Sequence, residues 1–412
     1  MTKDGGTLPP SFVRFWTGDA VSAFGTYITL LAIQTIVVLT LDGDATAVGW
    51  VNAARWAPYL VLGLLVGALV DRVRRRPVLV VTDLAQALLL ITIPVAWARD
   101  ALSMPLVLIV VACSGAISLV NGAASMSFIP RLVPRAQLQR AHARIDGADA
   151  VAQNAGPALG GLLVTLIGAP FVVLIDAATY VFSAVMIASI RIDEPAREGD
   201  AERTHLWHEI VEGVRWIYRG SSLRTLALAT HVWFAANAVV VTVVAPYALL
   251  VLDLSAFQLG LSVSAAGAGS VVGALTSTAC GRRLGTGGAV IAAHSVTTVG
   301  VAVMALAGLG TSGWAALGVL AVGQAMHGFA IGLSNSHEMA YRQSVTPDRL
   351  QGRTNTTMRS LNRAVIVVVA PLSGLLADAL GMRFALWLAV AVFLVPVLML
   401  AASPFRHARL DS

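Results

Sequence analysis

The chain has 412 residues, of which 57% are hydrophobic and 12% charged, with a net charge of +6 and a pI near 9.9. Soluble domains carry roughly 25% charged residues, so this composition excludes an ordinary water-soluble globular protein. A basic pI invites a nucleic-acid reading, but the basic residues lie in short loops between apolar segments rather than on one soluble face, so no nucleic-acid partner is expected.

Twelve stretches are long enough to cross a bilayer, which needs about 20 residues each. They fall near 12–40, 49–70, 77–98, 104–129, 138–168, 169–190, 226–252, 258–280, 287–308, 313–337, 352–380 and 383–404. The first is too long for a signal peptide and lacks a small-residue cleavage site, so it is expected to remain in the protein. With both termini on one side, that side collects 24 basic residues, while the loops opposite hold only Arg99 and Arg383. The positive-inside rule makes the basic side cytoplasmic, and both termini with it. Cys113 and Cys280 lie within apolar spans and give no disulfide framework.

Between spans two and three the chain reads Gly67-Ala-Leu-Val-Asp71-Arg72-Val-Arg74-Arg75-Arg76-Pro77. Arginine is costly in hydrocarbon, so this cluster marks a membrane face. Spans one to six then return as spans seven to twelve. Pro134, Leu138, Arg140, Gly156-Pro157 and Gly160 match Pro347, Leu350, Arg353, Ala370-Pro371 and Gly374, and Val66–Leu69 matches Val272–Leu275. Such parallel repeats point to two six-helix halves, 1–190 and 226–412. The polar stretch 191–225 joins them and carries an amphipathic helix, expected to lie on the inner leaflet, with Leu206, Ile210, Val214 and Ile217 on one face. His205, His208 and Glu209 share a face of that helix, but three such residues form no recognised zinc spacing, and a solvated polar face is expected with no metal.

The loop Gly67-x-x-x-Asp71-Arg72-x-x-Arg75-Arg76 resembles the signature of the major facilitator superfamily, with Arg74 where a glycine is usual. The resemblance implies an all-α membrane fold of twelve transmembrane helices, with Gly67, Asp71, Arg72, Arg75 and Arg76 latching the halves on the cytoplasmic side. Phe15-Trp16 to Gly25, Phe128-Ile-Pro-Arg-Leu-Val-Pro134, Glu212-Gly-Val-Arg-Trp216 and Gly352-Arg353 are similar to the branch holding enterobactin exporters and macrolide-efflux proteins. Thr26 and Gln34 stand where that branch often has an acidic residue and a proline. Gly156, Pro157, Gly160 and Gly161 resemble the fifth-helix motif of the superfamily's antiporters. Physically, small residues at these spacings permit close helix contact, and the proline permits a bend. An ordinary tight helix contact is the alternative.

The resemblance also implies that spans one, four, seven and ten line the substrate cavity. Polar residues there are Thr26 and Gln34, Ser118 and Asn121, His231 and Asn237, and Gln324, His327 and Asn335. Those of span ten fall on a single stripe, as do those of span four, although such stripes also serve as interhelical glue. Asp149 shares a face with Ala152, Gly156 and Gly160, which makes it the first candidate for proton coupling, followed by Glu338 and Asp146. Its alternative role is a plain hydrogen-bond acceptor. Arg55, inside span two, is either a counter-ion or gate residue or a snorkelling side chain. The reading is a multi-pass inner-membrane transporter, expected to be monomeric and to export a small, largely apolar organic compound against protons without cofactor. No nucleotide-cradling Gly-x-x-x-x-Gly-Lys loop is present. An importer, facilitator or lipid transporter is the nearest rival. A polytopic membrane enzyme is a further one, but no His-Glu-x-x-His, nucleophile elbow or paired cysteine ligands support it.

Overall fold

The computed structural model describes residues 7–70, 73–192, 206–219 and 223–409, and these are helical almost throughout, with no strand among them. A first group holds α1 (Pro10–Thr35), α2 (Ala45–Val70), α3 (Arg75–Ala98), α4 (Met104–Leu132), α5 (Leu138–Ile167) and α6 (Ala169–Ala188). The short α7 (Leu206–Tyr218) follows. A second group holds α8 (Leu223–Pro246), α9 (Ala256–Leu306), α10 (Gly313–Val345), α11 (Asp348–Leu380) and α12 (Met382–Ala401). Ten of these helices are long and apolar enough to span a membrane. The apolar, 26-residue α2 is another span. α9 supplies two, because its 51 residues are interrupted at Gly285 (φ 72°, ψ 170°). The loop expected between spans eight and nine is therefore a single-residue break. Glycine alone takes that backbone conformation without a Cβ penalty.

The internal repeat is visible in backbone geometry. α1 passes into a π-helical turn at Ile36–Thr40, and α8 into one at Tyr247–Val251. Each turn closes with the same bond, Leu41 to Ile36 at 2.9 Å and Leu252 to Tyr247 at 3.0 Å. An aspartate with positive φ follows each, Asp42 at 50° and Asp253 at 52°. Aspartate tolerates that region better than most residues. The α5–α6 and α11–α12 joints match too, at Gly168 (φ 85°, ψ 147°) and Gly381 (φ 97°, ψ 142°).

The two groups meet along α2–α11 and α5–α9. Both seams are tightest at the end holding Asp42 and Asp253. There Asp378 of α11 accepts hydrogen bonds from the first amides of α2, Ala45 at 3.1 Å and Thr46 at 2.9 Å. Asn52 reaches the Val241 carbonyl at 3.4 Å, and the Ala158 amide donates to Ser264 at 3.1 Å. Toward the arginine-bearing end the helices diverge, leaving Asp146, Asp149 and Asn335 exposed.

Helix α7 lies against α11 and α8. Its Glu212 pairs with Arg349 at 2.7 Å and also with Arg353. Ile217 is fully buried beneath it, while Val214 is exposed. The expected amphipathic helix is thus docked on protein along part of its apolar face. His205 and the side chains of His208 and Glu209 lie outside the described residues, as do Asp71 and Arg72 of the signature loop.

Candidate functional site: a cavity between the two helix groups

A cavity of about 610 Å³ lies between the groups, lined by α1–α6 on one side and α8–α11 on the other. Its walls are mostly apolar, with a few polar groups inserted, as expected of a small-molecule site. Six of the nine predicted cavity residues line it: Thr26, Gln34, Ser118, Asn237, Gln324 and His327. The Thr26 hydroxyl lies 2.9 Å from the Tyr180 hydroxyl. His327 bonds Asn237 at 3.1 Å and stacks on Trp233 with ring centroids 5.9 Å apart and planes 5° apart.

The remaining three predicted cavity residues are placed elsewhere. Asn121 turns toward α3, donating to Asp83 at 2.8 Å and to Thr82 at 2.9 Å. His231 ties α8 to its neighbours, bonding Asn362 at 2.6 Å and Tyr218 of α7. Asn335 lies exposed toward the diverging end of α10, beyond the cavity. A helical stripe fixes a face, but not the height at which that face meets a void.

The small residues of α5 sit at a three-helix junction. Gly156 and Gly160 pack on Tyr27 and Ile28 of α1, while Gly161 lies against Ala256 and Phe257 of α9. Gly260 of α9 returns the contact onto the Pro157 carbonyl. Asp149, two turns from Gly156 along the same face, is exposed toward the diverging end, and the Tyr27 hydroxyl donates to both its oxygens at 3.2 Å. Asp146 is exposed nearby. Glu338 pairs with the buried His294 at 3.2 Å and accepts a bond from Thr230 at 3.4 Å.

In the latch region, Gly67 falls in the last turn of α2 and Arg75 is buried. Arg76 donates to the Ile187 carbonyl at 3.3 Å and to Ala188, and Arg14 donates to Ser189 at 2.9 Å. These arginines donate to carbonyls in and just after the last turn of α6, where a positive charge is favoured. The bonds described therefore tie α3 and α1 to α6 within the first group.

Sequence reasoning passed over Tyr27, Trp233, His294 and Arg363. The histidine and the arginine carry the signal that singled out Arg55, a charged or titratable side chain inside an apolar span. Tyr27 and Trp233 carry none, because aromatic residues are ordinary in such spans.

The family model described as "Major Facilitator Superfamily" matches residues 15–367. The chain belongs to the major facilitator superfamily. It is a multi-pass inner-membrane protein of a transporter family, not an enzyme family. Among relatives in this superfamily, it is 27% identical over 368 residues to the multidrug efflux pump Tap of Mycolicibacterium fortuitum, covering 87% of each chain. It is 25% identical over 220 residues to macrolide efflux protein A of Streptococcus pyogenes, covering 53% of each. Among solved structures it superposes on a bacterial homologue of the iron transporter ferroportin in the inward-facing state. That match has a TM-score of 0.75 at 13% identity, covering 95% of this chain and 98% of the other. The same homologue in its outward-facing state gives 0.59 at 14% identity and the same coverage. The fold and the efflux branch expected from sequence are both recovered.

Proposed function

We propose that the protein is a proton-coupled exporter of a small, largely apolar organic compound. It acts as a monomer of two halves, 1–190 and 226–412, joined by the cytoplasmic segment 191–225, with both termini cytoplasmic. One observation carries the reading: a largely apolar cavity of about 610 Å³ lies between the helix groups, below a closed end. With the arginine-bearing end cytoplasmic, the conformation is inward-open. The higher likeness to the inward-facing ferroportin homologue supports this. The names of the efflux relatives support export, and the junction of α5 with α1 and α9 supports antiport.

Coupling is assigned to two carboxylates that face the diverging end and each hold a proton-bearing partner. These are Asp149 with Tyr27 and Glu338 with His294. Protonation neutralises a carboxylate before it is closed off from water, which removes the cost of burying its charge. The signature loop is assigned the control of alternation. The test uses everted vesicles with an imposed proton gradient and erythromycin as the added compound. Gradient-dependent uptake of erythromycin into those vesicles, lost in Glu338→Gln or Asp149→Asn with exchange retained, is the expected result. Uptake that ignores the gradient in the unmodified protein overturns proton coupling.

A further inference from the structure

The cavity holds one cation and one carboxylate among its described lining residues, and the two do not meet. Arg55 of α2 faces the cavity and forms no ion pair or hydrogen bond among the described residues. Its guanidinium carbon lies 5.1 Å from the neighbouring Trp56 ring. Asp176 of α6 is 1% exposed, tucked against Gly25 of α1, and accepts a bond from Thr179 at 3.1 Å. Gly25 leaves the room that this carboxylate fills, so Asp176 belongs to the α1–α6 contact and not to Arg55.

A second guanidinium strengthens the imbalance. Arg363 of α11 lies 5.0 Å from the Trp56 ring and 3.9 Å from the Tyr59 ring, also without an ion pair among the described residues. One indole therefore carries two arginines, which the ring's electron density attracts but does not neutralise. Snorkelling to the outer face is not what Arg55 does, since its side chain lines the central cavity. A guanidinium within the membrane span is retained at a cost unless a partner or water path compensates it. Arginine's planar fork matches a carboxylate, phosphate or sulfonate with two parallel hydrogen bonds. Beside it, Trp56, Tyr59 and Phe234 offer aromatic surface to an apolar body.

We propose that Arg55 is the anion-binding point of the cavity, and that the preferred substrates are amphiphilic organic anions with an aromatic or apolar body. The inference rests on reading this cavity as the substrate cavity, and it narrows the substrate class. Arg363 adds positive potential from across the α2–α11 seam. Asp176, held on Thr179, leaves the guanidinium free for the substrate.

The test is calorimetric titration of the purified full-length protein in detergent with pyrene-1-butyrate and with pyrene-1-butanol, which differ only in the anionic group. The carboxylate is expected to bind about tenfold or more tightly than the alcohol, in line with a charge-assisted hydrogen bond. Arg55→Gln removes that preference and leaves the alcohol's affinity unchanged. Arg55→Lys, which keeps the charge and loses the fork, retains part of it and serves if the glutamine variant does not fold. Equal affinities in the unmodified protein, or a preference that survives Arg55→Gln, overturn the proposal. Gradient-driven erythromycin transport with no anion preference defeats this inference alone. An Arg55-dependent anion preference without gradient-driven transport of pyrene-1-butyrate in the same vesicles defeats proton coupling alone.

Discussion

The two seams that close the end holding Asp42 and Asp253 are built on different principles. Along α5–α9, Gly161 and Gly260 set backbone directly against backbone. Such contacts give dispersion and close approach, accompanied by an uncharged hydrogen bond from the Ala158 amide to Ser264. Along α2–α11, Gly49 and Gly374 also bring the helices close, but the seam adds charge. Asp378 holds the α2 amides, and Arg363 lies over Trp56 and Tyr59. The difference assigns pivoting to the glycine seam and release to the polar one, because water can replace a hydrogen bond but not a packed surface.

The largest expected effect comes from wedging the glycine seam. Gly161→Leu places a side chain where the Ala256 carbonyl lies, and overpacking of this kind costs about 1–3 kcal/mol. The state closed at the Asp42 and Asp253 end should lose occupancy about tenfold or more. Labelling of a cysteine at Phe257, in a background lacking Cys113 and Cys280, reads this. Unchanged labelling would mean that the seam yields without cost, and the pivot assignment would fail.

Asp378→Ala should act on the other seam alone. Losing a capping side chain costs about 0.5–2 kcal/mol, so accessibility at Ala47→Cys should rise several-fold while the melting temperature moves little. A large fall in melting temperature would instead make Asp378 part of the permanent core.

Arg363→Gln removes a cation–π contact that is worth about 0.5–1 kcal/mol at an exposed site. It should shift the same accessibility measurement by a factor of about two to five. An additive effect with Asp378→Ala would show two independent fastenings, and a non-additive one a single unit.

The smallest effect lies at α7. The hydrogen bond from Arg349 and the nearby Arg353 hold the Glu212 carboxyl below its ordinary value near 4.5. A depressed carboxyl contributes to docking above that ordinary value and loses the contribution as pH falls through its lowered one. Spin labels on α7 and α11 should therefore separate only in acid below about pH 4.5, and Glu212→Gln should abolish the pH dependence. Separation near neutrality would show that another group governs docking.

How far the sequence revealed all this follows from what one dimension encodes. Spans, loops and the repeat were legible because hydropathy, arginine placement and recurring Pro and Gly residues depend on position along the chain. His327 and Asn237 were legible as polar groups on apolar helices. Asn121 was not, because its stripe faces both the void and α3, and only the packing decides which it serves. The single-residue break at Gly285 was hidden by the polar Arg282-Arg283 pair beside it, which reads as a longer loop. Arg55 was visible as an oddity, but its orientation into the cavity follows from the neighbours of α2.

The repeat itself carries an asymmetry. At the start of α9, Ser255 and Gln258 satisfy each other's amides at 2.9 and 3.2 Å, so that helix is finished by its own residues. At the equivalent start of α2, the local Asp44 takes only the Ala47 amide, at 2.8 Å, and the amides of Ala45 and Thr46 are left to Asp378 from the opposite group. A duplicated fold thus has one self-sufficient helix end and one that borrows its cap. Whenever the groups part, α2 loses the cap that α9 keeps and must recover those hydrogen bonds from solvent. Opening is therefore lopsided, beginning as local fraying at one corner rather than as simultaneous separation of two equal leaves.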